Sequence, residues 1–320
     1  MRRTLPEVTV TSGNTYFGEG AVARELKVTD REKTAERLLN SSAARSYDPE
    51  VDIDWAAPLV DGLRYLPEHR TSLYGTELWA GLDREQRIEL GRHELASVAS
   101  VGLWFEVLLM RLLLKDVYSG DPTSRHVQYA LTEIGDETRH STMFARMVER
   151  IGCPAYGPGR RVHRLGRLLP VIGYGPAVYG AILVAEEVLD RLQREMTADE
   201  GVQPLVRMVN RIHVLEEARH VRFAREEVVR GMRGLSRAEL PYQRWLLAVV
   251  AMHITRSLIH PEAYRAVGLD PVEAARAAAG NPQWRETIRW AGERVVAFLD
   301  EVGLVGAPGG YAWRRSFLLG

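Results

Sequence analysis

Glu106 precedes Glu137 by 31 residues, Glu186 precedes Glu217 by the same 31, and both downstream glutamates open a Glu-x-Arg-His tetrapeptide, Glu137-Thr-Arg-His140 and Glu217-Ala-Arg-His220. Four carboxylates and two imidazoles repeated at one interval leave few folds open. Each stretch reads as a helical hairpin, with the lone glutamate on the outgoing helix and the Glu-x-x-His pair on the returning one. Turn residues fall near both midpoints, Ser119-Gly120-Asp121-Pro122 and Asp199-Glu200-Gly201-Val202-Gln203-Pro204. Fifteen helical residues at 1.5 Å each span roughly 22 Å, so the return leg brings its carboxylate back level with the first. Asp121 followed by Pro122 predicts an N-cap and a first-turn proline, and Pro204 predicts the same start for the second return helix.

Within each tetrapeptide, positions i and i+3 share a helix face, so Glu and His can address one site together. Two such hairpins packed face to face predict an all-α, ferritin-like four-helix bundle with additional flanking helices. The inward-pointing set is the one already known for di-iron and di-manganese carboxylate bundles. Four ionised glutamates balance two ferrous ions, which avoids the desolvation cost of unbalanced buried charge. Carboxylate and imidazole donors suit two iron ions, with manganese as a substitute, and offer no thiolate to favour zinc or copper(I). Without cations, four converging carboxylates would repel one another or protonate, which weighs against a purely structural bundle.

His213 lies four residues before Glu217 and seven before His220, on the same helical stripe. It is a seventh candidate ligand or, on the alternative reading, a core histidine one turn from the site. Asp136 and Glu216, each just before a ligand-type glutamate, are expected to orient histidines on the facing helix. Glu187 breaks the interval and points about 100° away from Glu186, which leaves Glu186 as the candidate.

The doubled pattern is shared by ferritin-like di-iron oxidases, desaturases and monooxygenases. With the added histidine of His213-Val-Leu-Glu-Glu217-Ala-Arg-His220 and the context Val184-Ala-Glu186, the chain resembles the AurF family of arylamine N-oxygenases from about residue 90 to 229. The resemblance implies seven ligands, Glu106, Glu137, His140, Glu186, His213, Glu217 and His220, and dioxygen activation followed by oxygen insertion at an amine nitrogen. In p-aminobenzoate-type members an Arg and a Tyr shortly before the first ligand glutamate hold the substrate carboxylate. Val101 and Val98 stand at the corresponding positions here. The resemblance thus implies a more apolar, larger or carrier-tethered amine. Gly102, one turn before Glu106, suggests either space kept open near the metals or close helix packing. The side chains one turn from the ligands, Leu103, Leu109, Phe144, Ile182, Leu183 and Val214, are core or pocket lining.

Basic and acidic side chains number 42 each and 46% of residues are hydrophobic, ordinary globular usage with no bias toward nucleic acid. The single cysteine, Cys153, excludes an internal disulfide framework and cysteine-ligated iron–sulfur chemistry, so electrons are expected from an external donor. Met1-Arg2-Arg3 is not followed by a signal-peptide core, and the apolar run Trp245 to Met252 is too short to span a bilayer. A cytoplasmic protein with no membrane partner, and a homodimer, are the expectations.

Residues 1–320 are read as a single domain with a metal-binding core at about 85–232 and an extended N-terminal arm over 1–28. Thr29-x-x-Glu32 predicts a capping box opening a helix to about Ala44, Asp83-x-x-Gln86 one opening the first ligand helix to about Val117, and Ser236-x-x-Glu239 a third. Pro/Gly-rich stretches from Cys153 to Gly159 and from Pro170 to Pro176 break the chain. The basic crossover between them, Arg160 to Arg167, reads as a solvated helix face or as a docking patch for an acidic electron donor or carrier protein. Trp245 to Leu258 predicts a buried helix outside the ligand bundle, with His253 and His260 structural.

A di-iron C-hydroxylase or desaturase is the nearest alternative function, and a ferroxidase follows. A radical-generating subunit of the ribonucleotide reductase type would place a tyrosine where Phe144 stands.

Overall fold

The computed structural model describes residues 29–320; the arm expected over 1–28 lies outside them. The chain is all-α, and among the described residues the only β pairing is an isolated bridge between Arg64 and Val202. In order, the helices are α1 (Arg31–Ala44), the short α2 (Pro49–Asp52) and α3 (Glu77–Ala80), α4 (Arg84–Ser119), α5 (Arg125–Arg150), α6 (Arg160–Gly166) and α7 (Leu169–Ile172). They continue with α8 (Pro176–Ala198), α9 (Pro204–Gly234), α10 (Leu240–Arg256), α11 (Pro271–Gly280), α12 (Pro282–Glu301) and α13 (Gly310–Arg315).

The ferritin-like bundle is α4–α5 packed on α8–α9, the two hairpins that the interval predicts. Its helix starts follow from local chemistry. Gln86 donates its backbone N–H to Asp83 Oδ1 (2.8 Å) while Asp83 donates to Gln86 Oε1 (3.0 Å), so α4 opens on the expected capping box. Pro204 stands at the first turn of α9, where its missing N–H costs nothing. The α8–α9 turn is latched from outside: Arg64 exchanges backbone hydrogen bonds with Gly201 (2.9 Å) and Gln203 (2.8 Å), and its guanidinium reaches Asp199 (3.2 Å). This latch holds the ligand stripes of the two helices in register.

Three predicted caps are corrected. α1 is capped by Asp30, which accepts from the N–H groups of Glu32 (3.0 Å) and Lys33 (3.3 Å). Thr29 bonds sideways to Thr34 and Glu226, and Glu32 reaches across to accept from Arg125 N (2.7 Å) at the start of α5. α5 begins at Arg125 with Ser124 as cap, because Asp121 is engaged by the backbone and hydroxyl of Thr123 (2.8 and 2.7 Å). Ser236 and Glu239 do bond reciprocally, but in a turn ahead of α10, which starts at Leu240. Of the two expected breaks, the second is shorter than its prolines suggest, since Pro170 sits inside α7.

α10 and α12 pack on the outer side of α8, and α13 covers α10. Leu183, Leu247, Ile288 and Trp313 are wholly buried in this layer, each aliphatic side chain contributing roughly 1.5–3 kcal/mol. The reading of α10 as a buried outer helix therefore holds, although Trp245 itself is 43% exposed. α4 contains an 18-residue window of mean hydropathy 1.7, long and apolar enough by composition to cross a bilayer. The sequence reading did not flag it. Its inward face carries Glu94 and Glu106, both buried, as a core helix would.

Candidate metal centre

Glu106 projects from α4, Glu137 and His140 from α5, Glu186 from α8, and His213, Glu217 and His220 from α9, and all seven are buried. Two overlapping groups, Glu106–His140–His213–Glu217 and Glu137–His140–Glu217–His220, have ligand atoms within 4.8 Å of one another. They share His140 and Glu217, which is how one centre can hold two ions. Glu186 is in neither group, but it is buried close enough to Glu217 and Glu137 for their charges to act on it. Its neighbour Glu187 faces outward and pairs with Arg225 (2.6 Å).

The two tetrapeptide histidines are oriented alike. Each turns Nδ1 inward: His140 Nδ1 lies 3.0 Å from Glu137 Oε2 and 3.2 Å from Glu217 Oε1, and His220 Nδ1 lies 3.0 Å from both Glu137 Oε1 and Glu217 Oε1. Each has Nε2 held by a carboxylate of the facing helix, His140 by Glu216 (2.9 Å) and His220 by Asp136 (3.1 Å). That is the outer support the sequence predicts. The arginines within the tetrapeptides serve this same layer: Arg139 pairs with Asp136, while Arg219 reaches Asp136 (3.2 Å) and Glu216 (3.5 Å). His213 differs in presenting Nε2 to Glu106 (3.5 Å) and Glu217 (3.6 Å), with Nδ1 on Gln193 Oε1 at 2.7 Å.

Burial and neighbouring charges act on each group of the centre in a different balance. Burial, then Glu137, Glu186 and Glu217, pushes Glu106 well above the ordinary carboxylate range, and burial with Glu217 and Glu137 does the same to Glu186. Burial and Glu217 act upward on Glu137 too, but His220 and His140 draw it down to about 2. Glu217, despite its burial, is held well below the ordinary range by His220 and His213. Burial opposes charge on His140 and His220, yet their carboxylate partners raise both. Burial brings His213 down to about 4. Glu106 Oε2 and Glu217 Oε2 are buried with no hydrogen-bond partner, and a donor set of carboxylates and imidazoles fits divalent cations there.

Sequence reading missed three buried groups around the centre. Glu133, one turn before Glu137, has an unpartnered Oε2, and burial lifts it well above the carboxylate range. Tyr129, another turn back, is wholly buried with its hydroxyl unpartnered. The spacing Tyr129, Glu133, Glu137 was the available signal. Gln193, the partner of His213, stands seven residues after Glu186 on the same face of α8.

A cavity of about 240 Å³ reaches Glu186 from the α6–α7 side, walled by Trp104, Phe105, Leu109, Ile182, Trp245 and other apolar groups. Among its lining residues Glu186 and His253 alone are titratable, and burial lowers His253 toward its neutral form. His260 is structural as expected, accepting from Glu262 N (3.2 Å). A smaller cavity of about 50 Å³ touches Gly102, Phe144 and Gln193. A Cβ on Gly102 would meet Leu189 at 3.5 Å, an ordinary contact. Leu183 and Val214 are plain core.

The family model described as P-aminobenzoate N-oxygenase AurF matches residues 28–303. An uncharacterized protein of Mycobacterium tuberculosis is 33% identical over 248 residues, 73% of this chain and 71% of that protein. An uncharacterized Mycobacterium bovis protein is 33% identical over 229 residues, 68% of this chain and 66% of its own length. The chain thus spans about two thirds of these relatives.

Proposed function

For this chain, which belongs to the AurF family, we propose a di-iron oxygenase that inserts oxygen at the nitrogen of an apolar, arylamine-type substrate. The observation that carries the reading is the convergence of three buried carboxylates and three imidazoles, with a fourth buried carboxylate, Glu186, nearby in the wall of an apolar cavity. Glu106, Glu137, His140, Glu186, His213, Glu217 and His220 would hold two iron ions, with manganese as a substitute. Bound iron would supply the electrons and open coordination positions that dioxygen needs.

The protein's own groups do the rest. Glu137 offers one oxygen toward His140 and the other toward His220, so it would help to hold the metals between the two tetrapeptides. Asp136 and Glu216 fix which imidazole nitrogen faces inward. The apolar wall keeps water from the reacting centre and favours the neutral amine, whose lone pair is the nucleophile. For a first oxygenation the balance is amine, dioxygen, two electrons and two protons giving hydroxylamine and water. An external donor would return those two electrons to the iron after each turnover. The cavity wall carries neither Arg nor Lys, so a substrate carboxylate finds no ion-pair partner, in line with Val98 and Val101 at the positions of the expected clamp.

The test is anaerobic loading with ferrous iron followed by oxygen and a panel of arylamines with and without carboxylates, with product mass as readout. N-oxygenated product from the uncharged amines supports the proposal. Iron uptake with mineral growth and no organic product overturns it in favour of a ferroxidase.

A further inference from the structure

The segment that roofs the large cavity is unusual in what it shows to solvent. Across α6, α7 and the link between them, Leu165 is 49% exposed, Leu168 52%, Val171 76% and Ile172 43%. Leu165, Leu168 and Ile172 also line the cavity, so the same side chains form both the wall of the tunnel and its outer rim. The α6 end is seated firmly: a Cβ on Gly166 would run into the Trp104 ring, and His163 lies against that ring (5.9 Å). At the other end Lys115 donates to the Gly173 carbonyl (3.2 Å) and Tyr242 to the Ile172 carbonyl (2.8 Å). The exposed aliphatic groups are therefore held outward by a fixed backbone.

Charge carried by the segment itself has one sign. Arg160, Arg161, Arg164 and Arg167 are exposed, and among the described residues none forms an ion pair. No Asp or Glu occurs between Glu149 and Glu186. Beside the rim, Tyr174, Tyr242 and Trp245 stand in a row, with ring centroids 5.5 and 5.9 Å apart. Arginines around projecting aliphatic groups, flanked by Tyr and Trp, make up the composition of a surface that lies in a lipid interface.

We propose that the α6–α7 face docks on an anionic lipid surface, so that the mouth of the cavity opens against acyl chains and the chain receives a lipophilic substrate from them. This departs from the expectation of no membrane partner, which rested on spanning length alone. It leaves the chain peripheral. A second copy of this chain fits the face poorly, since twofold pairing would set four arginines against four arginines with no acid in the segment to pair them. An acidic protein would answer the arginines, but the centre of the patch, from Leu168 to Ile172, offers it only aliphatic side chains.

Co-sedimentation of the iron-loaded full chain with phosphatidylcholine vesicles, with and without one-third phosphatidylglycerol, tests this. Binding is expected to the anionic vesicles, to weaken with salt, and to fall roughly fivefold for each of Arg160, Arg161, Arg164 and Arg167 changed to Gln. Leu168→Asp with Val171→Asp is expected to abolish it, with helical content and iron stoichiometry unchanged because both positions are exposed. Failure to bind anionic vesicles, or binding indifferent to both variant sets, overturns the proposal. So does conversion of a dimer to a monomer by Leu168→Asp with Val171→Asp, or capture by the patch of a small acidic carrier protein in preference to vesicles. None of these readouts depends on turnover, so they stand apart from the fate of the oxygenase reading.

Discussion

Asp136 Oδ2 on α5 lies 3.1 Å from His220 Nε2 on α9, and Glu216 Oε2 on α9 lies 2.9 Å from His140 Nε2 on α5. Each return helix thus orients the histidine of the other. The pair of contacts sets both imidazoles to face the centre through Nδ1. Asp136→Asn removes the charge that receives the His220 proton while keeping the shape. Iron affinity is expected to fall roughly ten- to hundredfold, the usual cost of losing such a partner, with helical content unchanged. Competition with a chelator measures it, and Glu216→Gln should give a matching loss. Unchanged affinity in both would show that the crossed contacts do not set ligand orientation.

Glu137→Ala and Glu217→Ala attack the groups that touch both histidines. Each is expected to bring iron well below two per chain by metal analysis, and retention of both ions would refute the ligand assignment. His213→Ala makes a useful contrast. His213 lies at the Glu106 side and leans on Gln193, so its loss should leave iron largely bound while altering the rate at which the ferrous protein consumes oxygen. A variant with two irons and wild-type oxygen kinetics would remove His213 from the centre.

What the sequence made legible was chemistry repeated on a helical period. Glu106, Glu137, Glu186 and Glu217 could be placed because an interval of 31 residues returns a hairpin to the same height, and Asp136 and Glu216 because adjacent positions on the return helices point to neighbouring faces. Contacts between segments distant in the chain were not legible. Thr29 has the right spacing to Glu32 for a capping box, yet Glu32 is drawn to the start of α5 and Asp30 takes its place. Asp121 precedes a proline, yet Thr123 occupies its oxygen. Gln193 declares itself only when α8 lies beside α9. Nothing in the α6–α7 sequence reveals that its leucines serve as wall and rim together.

Glu94 offers a pH signature separate from the metal centre. Burial raises its pKa to about 7, although the backbone N–H (2.9 Å) and hydroxyl (2.5 Å) of Ser72 act in the opposite direction. A carboxyl raised on folding is held more tightly as the acid by the native state. Its favourable contribution is complete below the ordinary carboxylate range and is lost as pH rises through about 7. Glu94→Gln keeps one oxygen for the Ser72 N–H and removes the ionisable proton. Urea unfolding at pH 5 and pH 8 is expected to show the variant gaining on the wild type by on the order of 3 kcal/mol across that span. Parallel stability curves for the two proteins would mean that Glu94 titrates normally.

The cavity that ends at Glu186 can be narrowed without touching a candidate ligand. Ala181 lines it and is 5% exposed, between Ile182 and the start of α8. Ala181→Leu adds three carbons to a space of about 240 Å³, and with open volume in front of it the overpacking cost should stay near the low end of roughly 1–3 kcal/mol. Iron per chain is expected to remain at the wild-type value because no donor moves. KM for bulky amines should rise severalfold while small amines are little affected, since the added side chain removes room but no polar contact. A uniform loss across amine sizes would point to distortion of α8, and an unchanged KM for the largest amine would place the substrate elsewhere, the smaller cavity at Gly102 and Phe144 being the next to test.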